Sequence, residues 1–224
     1  MRPEPTRTPS LVAEVLAGVA YGERLGAERA RRAVALAPDG RARTEQQHVA
    51  DRERENCELI EARLRELGEP ALMERFRPYF DAFFSRTEPE DWVEAQAFHY
   101  VGDALVSDFA DFVAPLVDRV SAEVLRRALG EREELEEYAL EELTRAIRED
   151  PSAAGRVRRY TQRVLGEALT QTARALERTE GLRTLLGGEE AGKRFLLGLL
   201  ERHRRRLDRL GIDPVEAEEA EEAE

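Results

Sequence analysis

Three acids and an arginine fall where the apolar stripes of helical sequence require hydrophobes. Val12, Leu16 and Val19 step by four and then three residues, and the next step lands on Glu23. Leu67, Leu64, Ile60 and Cys57 step back onto Glu53, with Asn56 on the same face. Trp92, Gln96, His99, Asp103, Val106 and Val113 share a third stripe, which turns Asp103 inward one turn after His99. A fourth stripe passes through Val124, Ala128, Arg132, Leu135, Ala139 and Leu143, and Arg132 is its odd member. Bundles that turn acids inward from several helices normally hold metal, and di-iron bundles use a Glu from each of two helices with a Glu-x-x-His from each of the other two. Here the order is Glu23, Glu53-x-x-Asn56, Asp103, Arg132-x-x-Leu135.

Two chemistries follow from that order. In the favoured one, Arg132 neutralises the carboxylates in a buried, metal-free network, and no residue is assigned a catalytic role. In the alternative, Glu23, Glu53 and Asp103 ligate iron, but without the imidazoles that help set affinity and redox potential in non-haem sites. His99 is read first as a core histidine with a hydrogen-bonding partner, and second as a ligand or acid-base group at the same centre. Glu45-x-x-His48 has ligand spacing, yet using it would slide the second helix by two turns and break its apolar register, so His48 is expected at the surface. Cys57 reads as a small core residue in preference to a nucleophile. The aromatic run around "RFRPYFDAFF" is expected to pack as core, with the wall of a substrate channel as the other option.

The elements that must position these residues are all helical. The spacing predicts helices from about Ser10 to before "APDG", Arg41 to Leu67 with Gly68 as a left-handed cap, and a third to about Ala114. That third helix is expected to start with Thr87 as cap, Pro89 in the first turn and Glu90 completing a capping box. A fourth follows from about Val117 to Glu149, loosened at Gly130, then a fifth from Ser152 to Arg178 and a sixth from Glu189 to Leu210. Between the second and third lies a long crossover loaded with Phe76, Tyr79, Phe80, Phe83 and Phe84. Two short-linked helices, a long crossover, two more helices and an appended pair describe an antiparallel four-helix bundle with one long connection. The expected layout is an N-terminal extension over 1–9, the helical domain over 10–210, and a disordered acidic tail over 211–224.

Composition agrees with that class. The chain is 42% hydrophobic and 37% charged but only 6% aromatic, and of its 35 basic residues only Lys193 is lysine. The net charge of -12 argues against indiscriminate nucleic-acid binding, although the tail carries seven of the acids and leaves the body near -5. "RVRRYTQR" and "RHRRRLDRL" are arginine clusters, the second placing Arg202, Arg205, Arg206 and Arg209 along one side. These are expected to pair with acids of the bundle or tail, and an RNA surface is the alternative. One cysteine excludes an internal disulfide, no apolar run reaches the roughly 20 residues of a membrane span, and no secretory signal opens the chain. A cytoplasmic protein is expected.

Several stretches carry a family resemblance: "YGE" at Tyr21 to Glu23, "LRELG", "TEPEDWVEAQAFHYVGDALVSDF", "EYALEEL" and "RVLGEAL". With them the chain resembles the ferritin-like proteins of actinobacteria, related to the di-iron tRNA hydroxylases that act on an isopentenyl side chain of a modified adenosine. The resemblance spans most of residues 10 to 210 and implies a ferritin-like bundle. It places Glu23, Glu53 and Asp103 at carboxylate-ligand positions, Asn56 and Leu135 at histidine positions, and Arg132 where the second Glu-x-x-His begins. The expected function is therefore a ferritin-like module with a degenerate di-iron site, serving a structural, binding or regulatory role toward an unknown protein or ligand partner. The alternative is an iron-dependent hydroxylase of a modified tRNA nucleoside, and a homodimer is compatible with either.

Overall fold

Helix α1 (Pro9–Ala33) and helix α2 (Gly40–Glu66) form the first antiparallel pair, in a computed structural model that describes residues 9–130, 132–179, 183 and 188–213. Asp39 starts α2 by accepting a 2.9 Å bond from the Ala42 amide. At its other end Gly68 takes φ of 77°, and the Gly68 and Glu69 amides reach back to the carbonyls of Arg65 and Leu64. That closed turn is the left-handed cap expected at this glycine. Leu16, Ile60 and Leu64 are fully buried where the two helices meet, each worth about 1.5–3 kcal/mol of apolar burial.

The crossover is more ordered than a packed connection. A short 3-10 turn over Pro70–Arg75 leads into α3 (Arg77–Arg86), a helix that the pattern of prolines had concealed. Pro78 lies in its first turn, where no amide donor is needed, so the proline is tolerated. Helix α4 (Trp92–Val113) then begins later than expected. Asp91 is its N-cap and accepts from the Glu94 amide at 2.8 Å, whereas Thr87 closes α3 and its hydroxyl donates to the Phe83 carbonyl. Aspartate is as good a cap as threonine, and Thr87 is fully buried against the preceding turn.

The expected fourth helix is two helices, α5 (Arg119–Leu129) and α6 (Glu133–Glu149). Gly130 ends α5, and Arg132 stands at the start of α6 with φ of -101° and ψ of -2°. Glu133, Glu134 and Glu136 in the first turn of α6 suit the positive end of its dipole. Helices α7 (Ser152–Arg178) and α8 (Glu189–Arg209) pack against α4, and α7 also packs against α3. The described residues thus form eight α-helices and no strand, a ferritin-like bundle with α1, α2, α4 and the broken α5–α6 at its centre. Among them no helix is long and apolar enough to cross a membrane. The expected extension and acidic tail fall almost wholly outside the described residues.

Candidate functional site

Arg132 reaches from the α5–α6 break across the bundle to α1. Its Nη2 lies 2.6 Å and 2.8 Å from the two oxygens of Glu23, and its Nη1 lies 3.8 Å from Asp103 Oδ1 on α4. Asn56 of α2 donates to Glu23 Oε2 at 3.3 Å. His99 and Asp103, one turn apart on α4, meet at 2.7 Å through Nδ1 and Oδ2. The other ring nitrogen lies 2.9 Å from Gln46 Nε2, and Gln46 accepts from Gln96. Glu23, Glu53, His99 and Asp103 are all buried, as the stripes predict.

Leu135 packs with Ala30, Val49 and Ala50 and borders the cleft shared by Glu53, Asn56 and Arg132. Arg132 is inward for a reason other than the one the stripe supplied. It stands at the N-cap of α6, between α5 and α6, and from there its side chain reaches Glu23. His48 is at the surface with Glu45, 4.0 Å away. Cys57 is buried, donates to the Ala20 carbonyl, and has its thiol pushed up to about 12 by burial first and Glu61 second. That leaves no thiolate for nucleophilic chemistry near neutral pH.

Electrostatics sort the three carboxyls. Burial works against the charge on Arg132, but Glu23, Asp103 and Glu53 outweigh it and hold the guanidinium more basic than usual. Burial raises the Glu23 pKa while Arg132 opposes that shift. Glu53 is raised well above the ordinary carboxyl range, by burial and then by Asp103 and Glu23, and its Oε2 has no hydrogen-bond partner. Arg132 therefore lies on Glu23 first and Asp103 second, while burial and the neighbouring acids favour the neutral form of Glu53.

Two cavities flank this centre, and Glu53 borders both. On one side is a polar cleft of about 170 Å³ with Asn56, Arg132, Glu134 and Tyr138 on its walls. On the other is an apolar cavity of about 190 Å³ between α1, α3, α4, α7 and α8. The aromatics of the crossover, Phe76, Tyr79, Phe80, Phe83 and Phe84, wall that cavity. Ordinary packing thus describes only part of their role.

The sequence reading missed Gln46 and Arg29. Gln46 lies seven residues before Glu53, two turns back on the same stripe, and that spacing was the available signal. Arg29 is 2% exposed, stacks on Phe84 and Phe98 at 4.4 Å and 4.1 Å, and donates to Thr87 Oγ1 at 3.1 Å and to the Phe84 carbonyl. The aromatic partners lie more than fifty residues away in the chain, so no local pattern announces it.

The family model for the actinomycete ferritin-like domain matches residues 6–189. The chain belongs to that family. This ferritin-like domain is also similar in fold to a Synechococcus protein with aldehyde deformylating oxidase activity, at 18% identity, with a TM-score of 0.75 over 92% of each chain. No curated protein matches it.

Ferritin-like bundles commonly hold two metal ions, and the residues here do not fit that pair. A guanidinium within 2.6–3.8 Å of Glu23 and Asp103 puts a fixed cation among the ligand acids. Asn56 and Leu135 supply no imidazole, and both nitrogens of His99 already have partners. The ligand atoms of Glu53, His99 and Asp103 do lie within 4.8 Å of one another, a partial metal-binding triad.

Proposed function

We propose that this ferritin-like domain works without a di-iron centre, as a binding module whose polar core is neutralised by Arg132. The observation that carries this reading is the double contact of Arg132 Nη2 with Glu23, which replaces metal charge with a covalently attached cation. Such a centre supplies fixed hydrogen-bonding groups beside a cavity instead of redox chemistry. Hydroxylation of a tRNA nucleoside finds no support in the surface either. Arg202 and Arg206 pair with Asp108, Arg209 with Glu136 and Glu137, and Arg205 with Glu201. Arg156 and Arg163 of α7 likewise meet Asp91 and Glu94. Arginines already paired with carboxylates are less available to neutralise phosphates.

A second reading keeps one divalent ion on Glu53, His99 and Asp103, favoured by the unpartnered Glu53 Oε2. It requires His99 to give up Asp103 or Gln46. Thermal melts with and without anaerobic Fe(II) separate the readings, because an ion that binds only the folded state raises the midpoint with concentration. The metal-free module shows no saturable shift. A shift that saturates at one ion per chain and disappears in His99→Leu supports the triad and overturns the metal-free reading.

A further inference from the structure

The apolar cavity beside Glu53 has aromatic and aliphatic walls, with Glu53 toward one end and Glu14 toward the other. On α1 its lining runs from Glu14 to Gly26, twelve residue steps and so about 18 Å along the helix axis. A volume of about 190 Å³ spread over that length makes it long and narrow. Gly18, Gly22 and Gly26 remove the side chains from one face of α1. Added Cβ atoms there would come within 3.3 Å of Phe76, 2.9 Å of Phe80 and 2.8 Å of Glu53 Oε2. The glycines thus let two aromatic rings and one carboxyl approach the α1 backbone.

The polar groups on the wall are mostly committed. Glu23 holds Arg132, Asp103 holds His99, and Gln171 donates to Glu167. Glu14, at the far end, is paired with Arg75, whose side chain is largely exposed. Glu14 Oε2 is without a hydrogen-bond partner too, but its other oxygen holds Arg75; Glu53 is 4% exposed, and its Oε2 meets no hydrogen-bond partner. A buried polar atom left unmatched beside an apolar space is the place where a ligand head group would be recognised.

We propose that the cavity binds one unbranched alkyl chain with a neutral hydrogen-bonding head, the head on Glu53 and the chain along the glycine face of α1 toward Val15 and Phe76. The inference deepens the binding-module reading, since a metal on Glu53 would compete with the head group for the same carboxyl. Length and narrowness select a linear chain over a fused ring. The neighbouring acids Glu23 and Asp103 disfavour an anionic head, and loss of water in an apolar cavity, where Arg132 and His99 already engage those two acids, disfavours a cationic one.

The test is calorimetric titration of the full chain with decan-1-ol, decane, sodium decanoate, decylamine and adamantan-1-ol, with metal content measured on the same sample. The expected result is saturable decan-1-ol binding at one per chain. Decane should bind about tenfold more weakly, the factor of roughly one hydrogen bond, and the other three more weakly than decan-1-ol. Glu53→Leu should abolish the preference for decan-1-ol over decane. Ala168→Phe or Thr172→Phe should plug the cavity from α7 and remove binding at an unchanged melting midpoint. If both plugged variants fold poorly, the wild-type ligand series and Glu53→Leu still decide. Absent decan-1-ol binding, equal affinity for decane, a preference for decylamine or decanoate, or adamantan-1-ol binding as tightly would overturn the proposal. Absent binding in a metal-free sample refutes the lipid-like ligand alone, and bound iron refutes the metal-free reading alone.

Discussion

Arg132 and Glu23, 109 residues apart in the chain, form the tightest polar contact of the buried centre, with one guanidinium nitrogen 2.6 Å and 2.8 Å from the two carboxylate oxygens. Both side chains are nearly sealed from solvent, 11% and 3% exposed. Removing the arginine alone strands buried carboxylates, a loss that typically costs about 3–5 kcal/mol. Arg132→Leu is therefore expected to unfold at markedly lower urea concentration near neutral pH. Equilibrium unfolding of wild type and variant measures it.

The partner choice can be tested by double-mutant cycles. Arg132 bonds to Glu23 and acts on Glu53 only at longer range, so Arg132→Leu should couple more strongly to Glu23→Gln than to Glu53→Gln. Contacting pairs typically couple by about 0.5–3 kcal/mol, and more distant ones add nearly independently. Equal coupling with both acids would mean that Arg132 sits between them instead of on Glu23.

Glu53 should give the wild type a particular pH dependence. Its folded pKa is raised well above the ordinary carboxyl value, so the folded chain keeps a proton that the unfolded chain has released. The associated stability is complete below about pH 4, near the unfolded pKa, and is lost as pH rises through the folded one. Glu53→Gln removes this titration. The variant should gain on the wild type as pH increases, and urea unfolding at pH 5, 7 and 8.5 reads the difference.

Much of this centre is legible in the sequence because helical periodicity marks any polar residue that interrupts an apolar stripe. Glu23, Glu53, His99 and Asp103 stand out on that ground, and all are buried. Arg132 stands out too, but the continuous stripe through Val124 and Leu135 hides the helix break at which it stands. Leu135 packs its apolar side chain on Ala30, Val49 and Ala50 at the edge of the cleft that Glu53 and Arg132 border. Neither α3 nor the Arg29 stack is legible. Pro78 masks the first, and the second depends on rings brought together only by tertiary packing.

The close approach of α1 to Glu53 predicts a steric effect. A Cβ on Gly26 would stand 2.8 Å from Glu53 Oε2, so Gly26→Ala should destabilise by about 1–3 kcal/mol, as overpacking of a filled site does. Shortening the acid with Glu53→Ala in the same chain should remove most of that added cost. Thermal melts of the two single variants and the double variant provide the comparison.

The central claim is that a guanidinium stands where related bundles place metal charge. The most direct measurement is the metal content of the full chain produced in iron-supplemented medium, by mass spectrometry of the purified protein with its ultraviolet absorption. Arg132 on Glu23 predicts well under one iron per chain and no absorption from an oxo-bridged centre. Close to two irons per chain with that absorption would contradict the account.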